Sequence, residues 1–122
     1  MNKKTLIVLG AVAGALAVSL GAFGAHALKP ILESNGRTET WDLASRYQFY
    51  HALAILLTAL LADNYPRMKS AAWFFVTGIV FFCGSLYILS LTGTNWFGAI
   101  TPIGGVAFIA GWLWMGWSTL KN

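Results

Sequence analysis

The chain has 122 residues, of which 57% are hydrophobic and only 10% charged, with a formal net charge of +4. A soluble domain carries about 25% charged residues, so this chain lacks the polar surface to cover itself and reads as one membrane-embedded domain. Its basic residues stand singly or in pairs at segment ends, with no stripe to follow a phosphate backbone, which excludes nucleic acid as a partner.

Lys3 and Lys4 precede a run from Leu6 to Ala27 without a charged residue. Basic start, apolar core and Ala25-His26-Ala27 imitate a secretory signal, but the run of about 20 residues exceeds the roughly 7–15 of a signal core. A first transmembrane helix is expected over 5–28. Within it Gly10, Gly14, Ala17, Gly21 and Gly24 recur at spacings of four and three. That stripe lets a neighbouring backbone approach closely and is read as a helix-packing seam.

Residues 29–40 form the longest polar connection. Pro30 stops the first helix or opens a short surface helix, and Asn35-Gly36 signals a turn. Thr40 or Asp42 is a candidate cap for a second helix over 41–62. Its first half carries Arg46, Tyr47, Gln48, Tyr50 and His51, whereas Ala52 to Ala62 is apolar apart from Thr58. Ionisable side chains in hydrocarbon cost roughly 2.5–3.5 kcal/mol each on insertion scales, so these are expected to face protein or a water-filled cavity. Asp42 and Arg46, four apart, can pair.

Asp63-Asn64-Tyr65-Pro66 makes a turn before a third apolar helix over 71–91. Thr92-Gly93-Thr94-Asn95 is an uncharged turn into a fourth helix over 97–120. Pro102 near its start marks its first positions or kinks it, and Gly104 and Gly105 suit close helix packing. Four spans of about 20 residues match a hydrocarbon core of about 30 Å. The expected fold is all-α: a polytopic membrane protein with four transmembrane helices in an up-down-up-down bundle, one domain over 1–122. Lys3, Lys4, Arg67, Lys69 and Lys121 fall on one side, Lys29 and Arg37 on the other, with Arg46 at the membrane edge. This bias puts both termini in the cytoplasm. Trp41 and Trp96 are expected at the outer interface, Trp73 and Trp117 at the inner one.

With that orientation the polar residues gather in the outer half of the bundle: His26, Arg46, Gln48, His51, Ser85, Tyr87 and Thr101. Gln48 and His51, three apart, share one helix face. Such a cluster either hydrogen-bonds helices together or lines a small cavity for a polar or lipid-like ligand, with His26, Arg46, Gln48, His51, Tyr87 and Thr101 as candidate binding residues. The two histidines do not suit a shared haem. His26 lies about 30 Å from the inner end of its helix and His51 about 16 Å from the same side. Cys83 stands alone, with no Cys/His spacing to hold a metal. Past Asp42 at the edge of the second helix no carboxylate lies inside a span, and no Ser/His/acid set, phosphate-cradling loop or HExxH motif is present. No cofactor, no metal and no enzymatic activity are expected.

Gly21-Ala22-Phe23-Gly24-Ala25-His26, Tyr47-Gln48-x-x-His51-Ala52-Leu53-Ala54, Gly84-Ser85-Leu86-Tyr87 and Ile100-Thr101-Pro102-x-Gly104-Gly105 follow in order. As a set they resemble the DUF423 family of small four-helix membrane proteins of unknown function, to which vertebrate transmembrane protein 256 looks related. The resemblance spans about Leu6 to Trp117 and implies a bacterial inner (plasma) membrane protein. It implies no activity, substrate or catalytic residue. The function expected is therefore a non-enzymatic accessory, assembly or oligomer-forming membrane subunit with lipids around it. The alternative is a binding or transport module at the outer polar cluster.

Overall fold

A computed structural model describes residues 1–121. Helix α1 (Lys3–Ala25) begins where the Asn2 side chain accepts from the Thr5 N–H at 2.8 Å, satisfying one orphan donor of the first turn. A short α2 (Lys29–Ser34) follows with Pro30 in its first turn. Gly36, at φ 66°, turns the chain into α3 (Thr38–Leu61). Arg37 takes the cap position there without a side-chain cap bond. Neither Thr40 nor Asp42 caps the helix, because it starts earlier and both lie inside it. Asp42 instead accepts from Arg46 Nε at 2.8 Å.

A 3-10 turn, Pro66–Ser70, leads into α4 (Ala71–Gly78), a π-helical turn, Ile79–Cys83, and α5 (Gly84–Thr92). Gly93 closes this stretch at φ 70°. A second 3-10 turn, Asn95–Ala99, precedes α6 (Thr101–Leu120). Pro102 sits at the first positions of α6, where its missing N–H has no partner to lose. The described residues contain no strand.

Three helical stretches are long and apolar enough to cross a membrane: Lys3–Ala25, Pro66–Thr92 and Asn95–Leu120. Helix α3 is not among them, and its place explains why. Helix α1 packs along it on one side, while α4, the π turn and α5 pack on the other; α6 rests on α4 and the π turn. Ten of the 24 residues of α3 are buried, against four of 23 in α1 and four of 20 in α6. A helix wrapped by protein needs less apolar surface than one facing lipid.

Contacts at the ends fix which termini lie together. Lys3 Nζ meets Asp63 Oδ2 at 2.7 Å, and Trp114 Nε1 donates to the Arg67 carbonyl at 2.8 Å. At the other end Arg37 donates to Asn95 Oδ1 at 2.5 Å. Asn35 Nδ2 donates to the Ser90 and Leu91 carbonyls at 2.9 and 3.2 Å, serving acceptors that the last turn of α5 leaves open.

The small residues of α1 meet α3. A Cβ on Gly10 would press on Leu56 and the Ala52 carbonyl, and one on Gly24 would overlap the Trp41 ring. Looser contacts join Gly14 to Ala52 and Phe49, and Gly21 to Ser45; Ala17 is buried between them. A second seam joins α4 and the π turn to α6: Gly78 against Phe108, Gly104 against the Phe82 backbone, Gly111 against Phe75. Gly105 is not part of that tight seam, since a Cβ there would meet only Phe82 Cδ2 at 3.8 Å. Trp41 departs from the expected interfacial belt. It is 3% exposed, because Gly24 leaves room for its ring and the Leu20 carbonyl accepts its indole N–H at 2.7 Å.

Candidate functional site: a buried polar network beside an aromatic groove

The polar residues of α3 divide between two of its faces, and Gln48 and His51, expected on one, meet different neighbours because three residues turn a helix about 60° short of a full circle. On one, Gln48 Nε2 donates to the Ala13 carbonyl of α1 at 2.9 Å, while Gln48 Oε1 accepts from the Tyr87 hydroxyl of α5 at 2.7 Å. A single amide thus ties three helices. The Tyr87 ring meets the edge of Trp41 at 4.8 Å between centroids. Nearby, Ser85 and Thr101 join α5 to α6 through their hydroxyls at 2.6 Å.

On the other face stands His51, 5% exposed. Its Nδ1 lies 2.7 Å from the Tyr47 carbonyl and its Nε2 is 3.1 Å from the Trp112 indole nitrogen. A carbonyl only accepts and an indole N–H only donates, so Nδ1 carries the proton and Nε2 is bare. The ring is neutral and fixed in one tautomer. It lies flat on Phe108, centroids 3.6 Å apart and planes 9° from parallel. Phe75 and Trp112 close its edges at 5.6 and 5.9 Å.

Beside His51, α3 and α6 leave a groove of about 540 Å³, lined by Tyr47, Tyr50, Phe82, Gly105, Phe108 and Trp112 among others. Its walls are aromatic, and Gly105 supplies a wall without a side chain. The volume falls within the range of small-molecule sites, about 300–1,000 Å³.

The candidate residues are therefore distributed as follows. Gln48 and Tyr87 share a hydrogen bond, Thr101 pairs with Ser85, and His51 faces the groove. Arg46 is exposed on α3 and lines a shallow recess against α1 with Ala17, Gly21 and Tyr50. His26 is exposed just past the end of α1 and joins neither set. Among the described residues no group of three or more His, Cys, Asp or Glu could hold a metal, and no buried side-chain nitrogen or oxygen lacks a hydrogen-bond partner. Cys83 is buried and free.

Sequence reasoning missed Phe108 and Trp112, which complete the His51 environment. Their signal was the four-residue spacing Gly104, Phe108, Trp112, which sets a glycine and two aromatics on one side of α6.

The chain matches the family model described as a protein of unknown function (DUF423) over residues 20–105. It is 47% identical over 119 residues to a UPF0382 membrane protein of Staphylococcus epidermidis, covering 97% of each chain. It is also 47% identical to the UPF0382 membrane protein YwdK of Bacillus subtilis, covering 90% of this chain and 91% of that one. A UPF0382 membrane protein of Haemophilus influenzae is 39% identical over 98% of this chain and 97% of its own. No solved structure matches.

Proposed function

We propose, since the chain belongs to the DUF423 family of proteins of unknown function, that it is a non-enzymatic subunit of the bacterial inner membrane. It crosses four times with both termini in the cytoplasm, and it works by association with other membrane proteins or with copies of itself. One observation carries this reading. Among the described residues no buried side-chain nitrogen or oxygen lacks a partner within the protein, and the Gln48, Tyr87, Ser85 and Thr101 bonds run between helices, so the polar interior serves to lock the helices together.

Support for the four crossings comes from α3, 24 residues long, lying among three helices apolar enough to span. The contacts Lys3 to Asp63 and Arg37 to Asn95 agree with alternating directions. Lys3, Lys4, Arg67, Lys69 and Lys121 at one end, against Lys29 and Arg37 at the other, favour a cytoplasmic placement of the termini. The glycine seam of α1 is occupied by α3, so association falls to the outer faces. On α6, for instance, Ile103, Val106 and Leu113 are exposed and a Cβ on Gly116 would meet open space.

Native mass spectrometry of the protein extracted in mild detergent tests this. A discrete oligomer or a constant partner is expected; a strictly monomeric, partnerless species overturns it. Reporters active only in the cytoplasm, fused to either terminus, are both expected to be active.

A further inference from the structure

The Tyr47 ring lines the groove between α3 and α6, yet its hydroxyl makes no hydrogen bond among the described residues. Its ring contacts are Phe82, stacked at 5.1 Å, Tyr50 at 5.6 Å, and His51 and Phe108 beyond. Where hydrocarbon replaces water, a phenol hydroxyl lacks the partner it would otherwise take from solvent. Nearly one turn further along α3, Tyr50 belongs both to this groove and to the recess that Arg46 lines. Arg46 gives one N–H to Asp42 and stands beside the Tyr50 hydroxyl, which leaves others of its five donors open. The groove thus offers a hydroxyl donor, and the Arg46 guanidinium stands in the adjoining recess, with Tyr50 between the two. The floor, formed by Phe108, Ile109 and Trp112 beside His51, offers nothing but rings and hydrocarbon, since both His51 nitrogens are taken.

A hydroxyl donor over an apolar slot, with a cation close by across Tyr50, complements one amphiphile. We infer that the groove holds an acyl chain of a glycerophospholipid, with its ester carbonyl accepting from the Tyr47 hydroxyl and its phosphate beside Arg46. His51 lies ten residues, about 15 Å, from the Leu61 end of α3, so the slot runs to the depth that acyl chains occupy. A second helix fits the space less well. At about 10 Å across, three turns of helix fill roughly twice the volume of the groove.

The test uses the full-length protein in mild detergent, with thermal unfolding recorded for every variant. Native mass spectrometry follows its titration with phosphatidylglycerol, and with diacylglycerol of the same chains lacking the phosphate. One phospholipid is expected to bind saturably per protomer, and diacylglycerol to bind more weakly. Tyr47→Phe keeps the ring and is expected to weaken binding about fivefold; Arg46→Gln, at an exposed position, about tenfold. Gly105→Leu is expected to fill the slot and abolish retention. Should that variant unfold, Ile109→Trp narrows the slot from a side chain that is 62% exposed and serves in its place. Equal affinity for both lipids overturns the proposal, as does unchanged binding in a folded slot-filling variant. A dimer that Ile109→Trp disrupts, with no lipid retained, assigns the groove to a second copy and overturns it too.

Discussion

Gln48 makes two bonds that differ in how they could be anticipated. Its partner Tyr87 is a polar side chain in an apolar segment, visible in the sequence as an oddity that needs a mate. Its other partner is the carbonyl of Ala13, a group that every residue carries, so nothing in the sequence marks it. Interhelical bonds in membranes average about 0.6 kcal/mol. Gln48→Ala, losing both, is expected to lower stability by about 1 kcal/mol, and Tyr87→Phe, losing one, by about half that. Thermal unfolding in detergent ranks them; equal values for the two variants would mean that the Ala13 contact contributes nothing. For His51 the expected outcome is spectroscopic. Imidazole nitrogen shifts at neutral pH should show a protonated Nδ1 and a bare Nε2, and two protonated nitrogens would contradict the Trp112 bond. His51→Ala removes a ring packed against Phe108 and should cost about 2–4 kcal/mol, as large-to-small core changes do. His26 was named beside these residues only because it falls at a similar place along its helix. The chain leaves α1 at that residue and carries it to the surface.

At the scale of elements, the two glycine seams were unequally legible. The α1 stripe is a regular alternation within one helix and points directly to a close neighbour. The second seam is spread over Gly78, Gly104 and Gly111 on two separate stretches, and its partners Phe82, Phe108 and Phe75 look like any other apolar residue. Gly104 and Gly105 are adjacent, yet their surroundings predict opposite outcomes. A Cβ on Gly104 meets the Phe82 backbone, which cannot swing aside, so Gly104→Ala should cost about 1–3 kcal/mol. Gly105→Ala should be near neutral. Paired unfolding curves check this, and equal losses would show that the two helices sit farther apart. The π turn at Ile79–Cys83 had no sequence signal at all. Its residues, Ile-Val-Phe-Phe-Cys, carry neither proline nor glycine, and their apolar run reads as plain helix.

For the whole molecule, the all-helical character and the apolar stretches were legible because hydropathy reports them directly. That the helix with the polar first half takes the centre was legible too, since ionisable side chains are costly in lipid and call for protein around them. Which helices cover which of its faces was not, since that depends on the pairing of surfaces far apart in the chain. The same arrangement predicts an unequal response to polar substitution. Val106→Asn, on an α6 side chain 66% exposed, places an amide toward the surroundings of the protein and should weaken membrane integration. Ala54→Asn, at a position 1% exposed, should instead unfold the packed protein in detergent without affecting integration. Alkaline extraction of membranes separates the two; if Ala54→Asn is the one released, α3 is not the shielded helix.

The burial of α3 bears on the order of assembly during synthesis. Its polar first half finds cover from α1, which leaves the ribosome before it, and from α5, which leaves after it. Under the proposed topology α3 therefore settles in the bilayer as the second arm of a hairpin with α1, waiting for its remaining cover. The short link through α2 keeps that first arm within reach. A chain that lost α1 would expose the Gln48 amide and the Trp41 indole to oil, and quality-control proteases would be expected to clear it.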